Sequence, residues 1–296
     1  MGVALALLGM VSFGTNIVLT RYATRGMPLE SGFFVVLGTN ILFSAALFAV
    51  ELASGMGSHA WSWKGAGLFA IGGVIGTFLG RRALFDTVTL LGPSRASVFH
   101  SSSPAFALLG AWLFAGEGLG WYEIALVAVV WSGLWLAQTP AGNLPGHIPP
   151  DVLRKGIIAG FLATAGFAFG NVLRGIAMRG WNEAVLGSAV SSCSAILLQA
   201  AVTRDWGKVM GQFRAAPRNA VLLYVACGLA TACGSIFVAL AMTKLEIGLT
   251  VLVVHTTPLF VFPVSVLLLK QREAISGRTL AGAGLVLAGV GALALR

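Results

Sequence analysis

Charge is scarce in this sequence. Only 10% of its 296 residues are Asp, Glu, Lys or Arg, against 57% hydrophobic, which is less than half the charged share of an ordinary soluble domain. A water-exposed globule of this length is excluded for want of polar surface. Cysteine is equally sparse: Cys193, Cys227 and Cys233 are odd in number and all lie in apolar runs. Neither a disulfide framework nor a zinc cage is indicated, and no metal or other cofactor is expected. Acidic residues are the rarer sign, 10 against 19 basic. The basic residues are scattered singly and in pairs among the hydrophobic segments, a pattern of juxtamembrane anchors and not of a nucleic-acid-binding patch. No basic n-region precedes the apolar first twenty residues, so they read as a retained helix and not as a signal peptide.

Apolar length and glycine are abundant. Glycine supplies 39 residues, as membrane helices tolerate where small side chains let backbones approach. A span needs roughly 20 apolar residues. Uninterrupted apolar stretches predict ten spans, at 2–20, 31–50, 65–85, 94–114 and 121–138, then 156–176, 184–203, 218–241, 248–269 and 277–295. Between the sets, QTPAGNLPGHIPPD at 138–151 is the one convincing linker, because proline and glycine break periodic structure. The expected organisation is a five-helix repeat over 1–138, a linker over 139–155 and a second five-helix repeat over 156–296.

The two halves match in register. ALFDTVTLLG at 83–92 aligns with ALAMTKLEIG at 239–248, 156 residues later (239 − 83). HSSSP at 100–104 aligns with HTTP at 255–258, and Glu117 with Glu273. FGTN at 13–16 resembles FGN at 169–171, and each is followed by an RG pair, at 25–26 and 179–180. Five matches in one order are not chance. Because five spans is an odd number, the second half is expected to enter the bilayer from the opposite face, inverted about a pseudo-twofold axis in the membrane plane. Such an arrangement suits alternating access, since one fold packed two ways against itself gives two states of similar energy.

LGPSRASVFHSSSPAFALLGAWLFAGE at 91–117 and LLLKQREAISGRTLAGAGLVLAGVGAL at 267–293 resemble the two EamA-type repeats of the drug/metabolite transporter superfamily. The most specific part is a proline-bearing fourth helix followed by a Glu and a glycine-rich fifth, occurring twice. The resemblance implies an all-α integral membrane protein, ten transmembrane helices around a central cavity, and export of metabolites such as amino acids. Nucleotide sugars, drugs and lipid-linked compounds are also handled in the superfamily. In a bacterial cell the inner membrane would be its place, as monomer or homodimer.

Polar side chains at bilayer depth are candidates for the transport path, because each is costly without a partner or a wet cavity. Asn16 and Asn171 sit in the first helix of each half; their amides either bind a solute or tie their helices to neighbours. In the fourth helices, Pro104 and Pro258 lack an N–H, which deprives the carbonyls of His100 and Val254 of helical donors. Ser101, Ser102, Ser103, Thr256 and Thr257 bring hydroxyls to these breaks, and Pro263 adds another interruption. Hydrated, kinked patches are expected there, as freed carbonyls in a bilayer need hydroxyls, water or ligand. His100 and His255 belong to the patches and either line the cavity or make structural hydrogen bonds; the candidate coupling ion is a proton, which imidazole exchanges near neutrality. Arg82 is a further substrate-binding candidate as a clamp for carboxylate or phosphate, with pairing to Asp86 one turn on as the alternative. Arg81 and Arg95 read as headgroup contacts. Glu117 and Glu273 precede the last helix of each half and are expected to cap its N-terminus. Glycines 72, 76 and 80 make a small-residue stripe for tight helix packing.

Fourteen basic residues fall beside the loops after spans 1, 3, 5, 7 and 9 and five on the other side, which by the positive-inside rule puts both termini outside; the resemblance puts both in the cytoplasm. The function expected is a secondary transporter moving a small polar metabolite by alternating access, as an exporter. A membrane-embedded enzyme acting on lipid-linked substrates is the rival class, but GxSxG, HExxH, DxD and a phosphate-cradling glycine loop are all missing from the sequence. A channel or signalling subunit is the third.

Overall fold

A computed structural model describes residues 1–55, 60–91, 96, 99–100, 102–118, 120–138, 149–257, 259–261, 264 and 277–294. The described residues form helices and no strand, as an all-α membrane protein requires when every backbone group in lipid must be satisfied internally. In chain order the helices are α1 (Gly2–Ala23), α2 (Leu29–Ser54), α3 (Trp63–Gly72), a π-helical segment (Gly73–Gly80), α4 (Arg81–Leu91), α5 (Ser103–Ala115) and α6 (Trp121–Gln138). They continue with α7 (Pro150–Gly180), α8 (Ala184–Val202), α9 (Trp206–Ala215), α10 (Arg218–Ala241), α11 (Ile247–Val254) and α12 (Gly277–Ala294). Among the described residues, six helices are long and apolar enough to cross a membrane: α1, α2, the composite Trp63–Leu91, α7, α8 and α10. Helices α6 and α12 begin 156 residues apart (277 − 121), and α3 and α10 begin 155 apart (218 − 63), close to the offset of the sequence motifs. Most of the expected linker, 139–148, lies outside the described residues.

Two compact units emerge, and each draws on both sequence halves. Unit 1 is Met1–Val74 with Leu173–Lys244; unit 2 is Ile75–Val172 with Leu245–Arg296.

Within unit 1, α1 and α10 run antiparallel. Gly9 meets Val238 and Gly234 at one end, while Gly26, just past α1, meets Pro217 and Ala220 at the other. The fully buried Tyr224 ring lies on Gly32 of α2, where a Cβ would have no room. Its hydroxyl donates to the Met27 carbonyl at 3.1 Å. Helix α2 therefore starts beside the first turns of α10 and crosses to the opposite end of the unit, where α3 begins. There Trp181, directly after α7, packs on Gly65 and donates its indole N–H to the Ala60 carbonyl at 2.8 Å.

Three carbonyls at the junction of α3 with the π segment receive side-chain donors. Ser191 Oγ donates to Phe69 at 2.7 Å, Ser194 Oγ to Ala70 at 2.9 Å and Arg174 Nη2 to Gly72 at 3.3 Å. Donors inserted into the helical ladder are a recognised cause of local departure from α geometry. Gly73 is required at this place: a Cβ there would strike the Ser191 carbonyl and lie 2.5 Å from Ser194 Oγ. Of the expected α-helical stripe of glycines 72, 76 and 80, Gly72 ends α3 and the other two lie in the π-helical stretch Gly73–Gly80. All three glycines are buried, so tight packing holds although the periodicity differs.

Within unit 2, Gly80 packs against Gly166 and Phe167, Gly156 against Leu91 and Gly160 against Phe99. Helices α6 and α12 run antiparallel, with Gly133 meeting Gly282 and Val286 while Gly289 meets Val130. Helices α5 and α11 are antiparallel too: Gly248 lies against Leu108, and the His100 and His255 rings meet at the other end of the pair.

Candidate functional site

The end of α11 and the segment leading into α5 bring polar groups together in unit 2. Each lies next to a proline in the sequence. Helix α11 stops at Val254, four residues ahead of Pro258, whose missing N–H would have served the Val254 carbonyl. That carbonyl accepts instead from Thr257 Oγ1 at 2.6 Å, and Thr256 Oγ1 donates to the Val253 carbonyl at 2.7 Å. The expected rescue of freed carbonyls by hydroxyls occurs here. On the other segment, Pro104 falls in the first turn of α5, where a missing N–H costs little. The Phe99 carbonyl takes a backbone donor from Ser102 at 3.0 Å and the hydroxyl of Thr164, from α7, at 2.8 Å.

His100 and His255, one from each sequence half, have ring centroids 4.8 Å apart at 52°. Phe167 stands edge-on to His100 at 5.1 Å. His100 Nδ1 and Ser103 Oγ are buried and lack a hydrogen-bond partner, and Ser103 as a whole is fully buried. Buried polar atoms are normally paired, and each exception calls for an explanation. One of these atoms belongs to the touching imidazole pair, and the other lies three residues further along the same segment.

Other expected site residues are placed differently. Asn16 uses its amide to hold α1 to α10: Nδ2 donates to the Cys227 carbonyl at 3.0 Å and to Thr231 Oγ1, and Oδ1 accepts from Thr20 Oγ1 at 3.2 Å. It belongs to unit 1, whereas Asn171 belongs to unit 2, where it is half-buried and engaged in contacts of its own. Arg82 and Asp86 are both exposed on α4. Asp86, with Thr89 and Lys155, forms the polar edge of an open groove of about 370 Å³ between α4 and α7 that Arg82 does not line. Arg95, Ser101, Pro258, Pro263 and Glu273 lie outside the described residues.

Glu117 caps the N-terminus of α11, far along the chain from the α6 it precedes: Oε1 accepts from Ile247 N at 2.6 Å and Oε2 from Gly248 N at 3.2 Å. The reason is solvation. Ile247 is fully buried, so its orphan N–H has no water to turn to, while Trp121 at the start of α6 is 87% exposed. Gly116, in the left-handed conformation at φ 66°, turns the chain at the end of α5 and so delivers the carboxylate.

Sequence reasoning passed over Arg174, counting it only as an anchor. Its position inside the apolar run of α7 was the available signal, since an intramembrane guanidinium has a role by default. Here it serves the Gly72 carbonyl at the onset of the π segment.

Residues 1–139 match the model of the EamA-like transporter family. Among solved structures, one crystal structure of a protein superposes with a TM-score of 0.71 at 18% sequence identity, covering 99% of this chain and 98% of that one; at this identity the likeness shows the fold. No curated protein matches the chain.

Proposed function

We propose, from the match of residues 1–139 to the EamA-like transporter family, that the protein is a transporter of the drug/metabolite type, a secondary carrier exporting a small polar metabolite, an amino acid or similar compound, by alternating access. The observation that carries this reading is the meeting of His100 with His255, ring centroids 4.8 Å apart, with His100 Nδ1 and, three residues on, Ser103 Oγ buried and unpartnered. In a bundle of apolar helices, unused hydrogen-bonding capacity is expensive, and a solute's polar groups would satisfy it. Imidazole can both donate and accept, and Ser103 Oγ likewise, which fits a solute bearing amino, hydroxyl or carboxylate groups. A proton is the proposed coupling ion, with the imidazole pair as the place it would be held.

Alternating access is supported by helix direction inside each unit. Motif-matched helices α6 and α12 are antiparallel, and α5, which follows HSSSP, is antiparallel to α11, which precedes HTTP. The chain leaves α1 at the end of unit 1 where α10 begins, and leaves α7 at the end where α3 begins. Halves threaded in opposite senses account for all three relations, and inverted repeats near a shared site are the architecture on which many carriers operate.

A thermal-shift screen of the detergent-purified protein against amino acids, organic acids and nucleotides tests the binding step, since a bound solute raises the unfolding temperature with its saturation. The solute found is then loaded into proteoliposomes. Movement against its gradient, driven by a pH difference, is the expected result; passive equilibration alone would point to a pore, and a chemically altered solute to an enzyme.

A further inference from the structure

Helix α9 is ten residues long and sits between two membrane-length helices. Three residues join it to α8 and two join it to α10, a reach of at most roughly 10 Å, so it cannot leave the boundary of the bilayer. Its inner face is fixed on the start of α2. Val209 is 5% exposed, Gln212 Oε1 accepts from Ser31 Oγ, and Trp206 meets Phe34 at 5.5 Å. The remainder of the helix is open. Trp206, Met210 and Arg214 follow at i, i+4 and i+8 along one ridge, the first two 48% and 50% exposed and the third exposed as well.

The charge around this ridge is one-sided. Arg21, Arg25, Arg204, Lys208, Arg214 and Arg218 are all exposed at this end of unit 1, against Glu30 and Asp205. The Asp205 carboxylate is already used, capping α9 through Lys208 N at 2.8 Å. None of Arg204, Lys208, Arg214 and Arg218 forms an ion pair among the described residues. At the opposite end of the unit the described charges nearly balance, with Lys64, Arg179 and Lys244 against Glu51 and Glu183.

We propose that α9 with its flanking arginines is a docking surface for anionic phospholipid headgroups. Trp206 and Met210 enter the acyl boundary, as the apolar face of an interfacial helix does, and Arg204, Lys208, Arg214 and Arg218 contact the phosphates. The site is separate from the His100–His255 cluster, stands independently of the transport reading, and would fasten the start of α2 and α10 to one leaflet.

Native mass spectrometry of the full-length protein, released from micelles holding equal phosphatidylglycerol and phosphatidylcholine, tests it. Wild type is expected to retain phosphatidylglycerol in preference, and the preference to weaken with added salt. The double variant Lys208→Gln/Arg214→Gln should lose about 25-fold of that preference, taking about fivefold for each basic residue near an anionic surface, and Lys208→Arg/Arg214→Lys should keep it. Should the first variant fail to fold, Arg204→Gln/Arg218→Gln, outside the helix, carries the same expectation. An absent preference in wild type, or an undiminished one in a folded charge-removal variant, overturns the proposal.

Discussion

His100 and His255 are the positions where substitution is expected to separate function from folding. The two rings meet each other, and His100 also meets Phe167 edge-on. Replacing both by Gln should lower solute flux in proteoliposomes by roughly tenfold or more, a general acid–base or binding loss, with little change in unfolding temperature. Flux that stays the same, with the same dependence between about pH 5.5 and 8, would remove both roles. Glu117 behaves in the opposite way. Glu117→Ala strands two N–H groups in a buried place, at about 1–3 kcal/mol for each, so unfolding should occur well below wild type; Glu117→Gln, which keeps an acceptor, should lose less. Equal stability of the two variants would show that the cap at Ile247 and Gly248 is not used. At this scale the sequence was partly legible. It flagged the polar residues, because lipid makes each conspicuous, but their partners lie far along the chain. Asn16 pairs with Cys227 and Thr231, and Glu117 with Ile247; spacing along one helix carries no sign of either.

Among elements, the composite third span is the informative one. Gly73 is pressed by Ser191 and Ser194, whereas Gly67 on the same span has nothing within 4 Å of a would-be Cβ. Gly73→Ala is accordingly expected to destabilise by about 1–3 kcal/mol through overpacking, and Gly67→Ala to be neutral or stabilising by up to about 1 kcal/mol. Thermal unfolding of both in one detergent checks the pair, and similar shifts would contradict the packing described. Long spans were legible because the bilayer dictates their length: α10 runs over Arg218–Ala241 and α6 over Trp121–Gln138, the bounds expected. The π segment was not, since glycines at every fourth position read as an α-helical stripe, and its cause lies in donors from α7 and α8. Helix α9 occupies the expected loop after the span at 184–203. Ten residues of mixed polarity make no transmembrane signal, and their helicity rests on the Asp205 cap and on burial of Val209.

For the whole molecule, the halves of the sequence and the compact units of the structure are different divisions. Each unit takes helices from both halves, which follows naturally when helices of one half pack on helices of the other, as α6 does on α12 and α1 does on α10. The repeat could be seen in the sequence through its motifs; the interleaving could not, because it depends on which apolar faces meet. Opposed insertion of the halves underlies the carrier reading, and site-directed labelling tests it without knowledge of the solute. Single cysteines are placed at Arg25, after α1, and at Gly180, the end of α7, both exposed, in a chain whose Cys193, Cys227 and Cys233 are replaced. A membrane-impermeant maleimide applied to sealed, uniformly oriented vesicles should label one of the two and reach the other only after the membrane is opened. Labelling of both from the same side would contradict the inverted arrangement, and alternating access with it.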